Sequence, residues 1–256
     1  MKKPLILISN DDGITSHGIR LLVEICKEIG EVVVVAPNSP QSGMGHAITV
    51  GNTLRLEASD IFDGTESYEC SGTPADCVKI AKHYVLKGNK PDLVVSGINH
   101  GSNTSVSVLY SGTMSAAIEA AMEGIPAIGF SVCDYNPNAE IKHVRPFVKQ
   151  IILEALKNGV PEGVALNVNI PPASSQEIKG IKICRQANAK WQEEFDERID
   201  PYGRRYFWLA GNFVNFDKGE NQDEAAIADN YISIVPCSFD LTSYPAMDQL
   251  RSNWKL

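Results

Sequence analysis

The sequence predicts an α/β protein: an open, mostly parallel sheet with helices on both faces, followed by an extended C-terminal β-hairpin arm. Three observations predict it. Short apolar runs recur up to about residue 170, each ending abruptly in polar or turn residues, as buried parallel strands do. Segments with apolar residues at helical spacing alternate with them, the pattern of a doubly wound sheet. Past about residue 186 the alternation stops, and aromatic and charged residues mix around a turn signature. The 256 residues read as one α/β domain, with a core over about 1–185 and the arm and C-terminal segment over about 186–256.

The elements follow in order. Pro4-Leu5-Ile6-Leu7-Ile8-Ser9 is an apolar strand that ends in Asn10-Asp11-Asp12-Gly13. Residues 17–29 place Ile19, Leu21, Leu22, Ile25, Cys26 and Ile29 at helical spacing, and Gly30 supplies the stop. Glu31-Val32-Val33-Val34-Val35-Ala36-Pro37 is a second strand, so the first unit is a right-handed βαβ crossover. Residues 47–57 and 66–70 read as shorter strands around Asp63-Gly64. Thr73 caps a helix that Pro74 opens and that runs through about Leu86 to Gly88. Residues 91–97 form the third parallel run, and a polar segment follows it. A helix over about Thr113–Met122, a strand over 124–131, a helix over about Val144–Lys157 and a strand over Val164–Ile170 complete the core.

Lys190–Ile199 and Arg204–Leu209 flank Asp200-Pro201-Tyr202-Gly203, a turn sequence. The flanks carry Trp191, Phe195, Tyr206, Phe207 and Trp208. A two-stranded ribbon of this length is marginal alone. A partner subunit is the natural cover for it; the alternative is an arm folded back on its own sheet. Residues 224–229 read as a short helix and Tyr231–Pro236 as a strand.

Composition bounds the function. The chain is 43% hydrophobic and 21% charged, with a formal net charge of −8 and no Lys/Arg cluster. That argues against nucleic acid as a partner. The longest apolar stretches are about seven residues, against roughly 20 for a membrane helix, so no membrane association is expected. No signal-peptide pattern follows Met1-Lys2-Lys3. Six scattered cysteines, none at zinc spacing, suit packed thiols in a reducing, cytoplasmic compartment.

The candidate site lies at the carboxyl edge of the sheet, where such folds bind ligands. Asp11 and Asp12 are adjacent carboxylates at a strand end. They repel one another, and a bound cation relieves that; two hard oxygen donors favour Mg²⁺, Mn²⁺ or Ca²⁺. A solvated turn is the bland alternative. The loop Pro37–His46 contains Ser42, Gly43 and Gly45, whose glycines allow close backbone approach. Ser96-Gly97-Ile98-Asn99-His100-Gly101-Ser102-Asn103 is a third polar segment. Tyr110-Ser111-Gly112-Thr113 leads straight into a helix, offering free N–H groups, two hydroxyls and the positive end of the dipole to a phosphate. Helix capping alone is the competing reading. His46 and His100 lie in these segments, where an imidazole can donate to phosphate or move a proton; a structural role is the commoner one for a loop histidine.

These motifs, with Ser71-Gly72-Thr73-Pro74-Ala75-Asp76-Cys77-Val78 and Gly124-Ile125-Pro126-Ala127-Ile128, occur in an order that resembles the SurE family of survival-protein nucleotidases. The likeness is close over about residues 4–132 and loose beyond. It implies a Rossmann-like core, an extended hairpin and a homodimer or homotetramer. It implies a phosphatase acting on nucleoside 5′-monophosphates, and often 3′-monophosphates, with one divalent ion per subunit, Mg²⁺ or Mn²⁺. It puts the metal on Asp11, Asp12, Ser42 and Asn99, with Asp11, Asp12 and Asn99 as the catalytic set. Asn10, Gly43, Ser111, Gly112 and Thr113 are the expected substrate contacts. Such an ion would polarise the phosphoryl group and lower the pKa of a bound water. Water is the favoured attacking group, and a carboxylate of the pair is the rival. A metal- and nucleotide-binding regulator without turnover is the alternative function. A sugar-nucleotide glycosyltransferase ranks below it, because its paired Asp residues are usually spaced D-x-D.

Overall fold

A computed structural model describes residues 2–136, 138–173 and 177–255. Its main sheet has nine strands in the order β3-β4-β2-β1-β5-β6-β7-β11-β8. These are β1 (Leu5–Ser9), β2 (Glu31–Pro37), β3 (Leu56–Ala58), β4 (Glu66–Cys70), β5 (Leu93–His100), β6 (Ala127–Val132), β7 (Val164–Ile170), β8 (Gly180–Ile183) and β11 (Tyr231–Ser238). The pairings from β4 through β7 are parallel; β3 joins β4 and β11 joins β7 antiparallel. The helices are α1 (His17–Lys27), α2 (Pro74–Ile80), α3 (Gly112–Met122), α4 (Arg145–Asn158), α5 (Asp223–Ala228) and α6 (Tyr244–Asn253).

The alternation along β1 builds two core layers. Ile6 and Ile8 pack with Ile19, Leu22 and Ile25 of α1 and with Val148, Ile151 and Ile152 of α4. Leu7 points the other way, to Cys77 and Val78 of α2 and Met114, Ala117 and Ala120 of α3. Successive strand residues face opposite sides, so an all-apolar strand requires helices on both. Ala116, Ala117, Ala120 and Ala121 keep α3 slim, and it lies close over the sheet.

Several expected elements change length. Of residues 47–57, only Leu56 and Glu57 are strand, at the start of β3. The preceding segment spends its polar groups on the start of α2 instead: Thr73 Oγ1 donates to the Ala47 carbonyl (2.7 Å) and Thr49 donates to Asp76 through N and Oγ1. Thr73 is the predicted cap, and it forms a reciprocal capping box with Asp76. The helix expected through Leu86 is α-helical only to Ile80 and continues as a π-helical turn over Ala81–Val85. The polar segment expected after the third run is largely strand. β5 continues past a register irregularity between Ser96 and Asn99, and Asn99 and His100 still pair with Ser131 and Val132 of β6. A 3₁₀ turn over Ser105–Tyr110, β8 and α6 were not foreseen.

The arm is longer than its sequence suggested. β9 (Ala189–Ile199) and β10 (Arg205–Asn215) pair through eleven residues each. Trp191 opposes Phe213, Phe195 opposes Leu209, and Glu197 opposes Phe207. Directly opposed residues share a face, so one side of the ribbon collects Trp191, Phe195, Ile199, Phe207, Leu209 and Phe213. Phe195 and Leu209 are 67% and 65% exposed. α6 likewise buries no residue.

Candidate active site

The carboxyl end of β1 closes on itself before it reaches any ligand. Asn10, expected to touch substrate, is 1% exposed, and its Nδ2 donates to the Gly13 carbonyl and to Ser16 Oγ, both at 2.9 Å. It is the internal clamp of the turn that presents Asp11 and Asp12. Asp11 is buried, and Thr113 Oγ1 donates to its Oδ1 at 2.5 Å. Burial pushes the Asp11 carboxyl up to about 6; the Thr113 hydroxyl opposes the rise and Asp12 adds to it. Asp12 is also raised by burial, opposed by His100, whose Nδ1 lies 3.1 Å from its Oδ1. Desolvation thus outweighs the mutual repulsion from which the sequence argument began.

The neutral donors arrive from two other elements. Asn99 Nδ2 donates to the Gly101 carbonyl at 2.9 Å, which directs the amide oxygen away from that bond as the remaining acceptor. Ser42 is exposed on the loop after β2. That loop is pinned at three points: Asn38 N to Cys70 O (2.8 Å), Gln41 N to Asp11 O (2.7 Å) and Gly45 N to Tyr110 O (3.1 Å). Gly43 stands on its exposed crest at φ +76°, and a Cβ there would meet nothing within 4 Å. Asp12, Ser42, Asn99 and His100 line one cleft of 410 Å³, together with Thr15–Gly18 at the N-terminal end of α1. Asp11 sits behind Asp12, against the first turn of α3.

The Ser111-Gly112-Thr113 segment is tied to the carboxylates more tightly than expected. A Cβ on Gly112 would fall 2.5 Å from Asp11 Cβ and 3.0 Å from its Oδ2, so this glycine admits the aspartate itself. Both hydroxyls are committed. Ser111 Oγ accepts from Met114 N at 3.0 Å as the cap of α3, and Thr113 holds Asp11. The N–H groups of Gly112 and Thr113 open the helix, have no acceptor within it, and stay available to an anion.

The two histidines separate. His100 remains in the cleft beside Asp12. His46 turns instead to α3, its Nε2 2.9 Å from Glu119 Oε2, while Lys79 holds Glu119 Oε1 at 2.5 Å. Burial works to raise the Glu119 carboxyl, but its bonds to His46 and Lys79 hold it below the usual range. His46 thereby fastens the Ser42 loop to the helix. Seventy-three residues separate His46 from Glu119, and no local signal announces the pair. The cleft residues Thr15, Ser16 and Asn136 were also unassigned from sequence. For Asn136 a signal existed: Cys133-Asp134-Tyr135-Asn136 is one more polar segment following a parallel strand.

The donor set fits a hard cation. Among the described residues no three His, Cys, Asp or Glu side chains gather into a metal cage. The set is two carboxylates completed by an amide oxygen and a hydroxyl. Neither carboxylate has a described Lys or Arg partner, and His100 is the basic group beside Asp12. Carboxylates without a described Lys or Arg partner, rimmed by neutral oxygens, suit a hard divalent cation.

Comparison with known proteins gives a consistent picture. The family model described as Survival protein SurE matches residues 6–193. A protein of Cytophaga hutchinsonii named 5′-nucleotidase SurE is 69% identical, over 100% of this chain and 98% of its own length. Its namesake from Christiangramia forsetii is 60% identical, over 100% and 98%. The crystal structure of the SurE protein from Aquifex aeolicus superposes with a TM-score of 0.84 at 39% identity, covering 97% of this chain and 99% of that one.

Proposed function

Because this chain belongs to the SurE family, and is a 5′-nucleotidase as those relatives are named, we propose that it hydrolyses nucleoside 5′-monophosphates with the help of one divalent cation per subunit. Nucleoside and phosphate are the products, and 3′-monophosphates are a second substrate class. The observation that carries this reading is the adjacent Asp11–Asp12 pair, which among the described residues has no Lys or Arg partner and whose Asp12 lines one cleft with Asn99, Ser42 and His100 while Asp11 is buried behind it.

Asp11, Asp12, Ser42 and Asn99 hold the cation, Mg²⁺ or Mn²⁺. Bound there, it neutralises the charge that develops on the phosphoryl oxygens. The N–H groups of Gly112 and Thr113 take the phosphate at the positive end of α3. Thr113 orients Asp11 through its 2.5 Å bond. His100, touching Asp12, is placed to hold a proton at the cleft. The apolar face of the arm supports a homodimer or homotetramer. No described helix is long and apolar enough to cross a membrane.

The test is phosphate release from a panel of nucleoside monophosphates by the purified protein, with Mg²⁺, with Mn²⁺ and with chelator. Turnover is expected only with metal. Equal turnover in chelator would reject the metal, and no turnover under any condition would leave a binding protein.

A further inference from the structure

The nucleoside half of the substrate has no partner among the residues assigned so far. Immediately beyond β6, at the same carboxyl edge, lies Tyr135. It is 68% exposed, yet its ring is not adrift. A Cβ built on Gly101 would stand 3.0 Å from both Cδ1 and Cε1 of that ring and 3.9 Å from Asn99 Nδ2. Ring and amide are therefore neighbours across a single glycine. Both backbones beneath the ring are fixed, through Gly101 N to Val132 O at 2.9 Å and Asn136 N to Asp134 Oδ1 at 2.9 Å. Asn136, the next residue, lines the cleft that holds Asp12, Ser42, Asn99 and His100.

An aromatic ring held along one edge by Gly101, with most of its surface in water, contributes little to the core. It is preorganised for another flat group. A monophosphate seated between Asp12 and Asn99 carries its base one sugar away, within reach of that surface. We propose that Tyr135 is the platform on which the nucleobase stacks, and so the residue that separates nucleotides from other phosphate monoesters at this site. The proposal rests on reading the cleft as the hydrolytic site. Stacking accepts every base because each has a π-face, and the larger purine ring gains more from it.

The test compares adenosine 5′-monophosphate with ribose 5-phosphate, which lacks the base, in the intact metal-loaded protein. Tyr135→Ala should raise KM for the nucleotide about tenfold or more, the usual loss when a stacking partner is truncated. Its kcat should stay within about twofold, and ribose 5-phosphate kinetics should not change. Tyr135→Phe should restore the nucleotide KM. Equal losses on both esters would mean that Tyr135 only supports the Gly101 segment, and an unchanged nucleotide KM would place the base elsewhere; either result overturns the proposal. Wild-type turnover of adenosine 5′-monophosphate is the control on the site itself. Its absence with every metal would remove the hydrolytic reading and the platform with it, whereas normal turnover with indifferent Tyr135 variants removes the platform alone.

Discussion

The carboxyl edge of β1 and the β9–β10 arm are incomplete in opposite ways. At the first, charge is buried: Asp11 is 4% exposed and its carboxyl is pushed up to about 6 by burial. At the second, apolar surface is left in water: Phe195, Leu209 and Trp208 are 67%, 65% and 60% exposed. One region lacks a positive charge and the other lacks a covering surface. On the proposed reading each deficit has a remedy, a cation in one case and another protein surface in the other. A cost that the isolated chain cannot relieve is informative about what the chain works with.

The largest expected effect breaks the first half of this comparison. Asp11→Asn or Asp12→Asn should lower turnover on the order of 10³-fold, equivalent to several kcal/mol of lost charge stabilisation, with the fold intact by circular dichroism. Near-wild-type rates at saturating metal would remove the cation from this site. The same Asp11→Asn change should raise the melting temperature of the metal-free protein by a few degrees, because it removes a buried ionisable group. Next in size is Gly112→Val. With an added Cβ only 2.5 Å from Asp11 Cβ, it should displace the aspartate and lower kcat/KM about 100-fold. Unchanged kinetics would show that α3 can retreat without cost.

The second half of the comparison is sharpened by shortening the arm. Glu193 pairs with Gly211, so excising residues 193–211 and joining the stubs by a tight turn preserves register. Light scattering should show weakened association, while Mn²⁺ affinity stays within about twofold, the expectation for independent distant sites. A wild-type monomer at all concentrations would show that the arm needs no partner.

A pH series probes the buried charge directly. The folded Asp11 carboxyl lies near 6, above its ordinary 3.8. For an acid raised by folding, ionisation costs stability; the cost is complete above about pH 6 and vanishes below the unfolded value. The metal-free protein should therefore gain stability relative to Asp11→Asn as pH falls from 7 to 5. Metal affinity should run the other way, falling about tenfold per unit below pH 6, because the cation must displace a proton. Calorimetry reads both. The smallest effect is expected at Gly43. Only its φ of +76° resists a side chain, so Gly43→Ala should cost about 1 kcal/mol and leave turnover near normal.

Legibility in the sequence followed locality. The strand Val164–Ile170 has the predicted limits, and α3 begins one residue from its expected start, because periodicity and capping are local properties. Asn99 was read as loop because Ser96-Gly97 imitates a strand end; only pairing with β6 across the irregularity shows otherwise. The commitment of Thr113 to Asp11, 102 residues away, and of His46 to Glu119 depends on tertiary approach. α6 was missed because it buries nothing, and so leaves no strong apolar stripe to read.

The position of β1 within the sheet has a consequence for how the protein is made. Its partner β2 follows closely in the sequence, but the other partner, β5, begins at Leu93. At synthesis rates of about 5–20 residues per second, some 60 residues separate the two pairings, so one edge of Ile6-Leu7-Ile8 waits unpaired for about 3–12 seconds. The carboxylates that follow directly on that strand charge one of its ends throughout the wait, and charge at an exposed edge discourages pairing with a neighbouring nascent chain. The same two side chains thus charge that edge until β5 brings His100 beside Asp12 and α3 closes over Asp11.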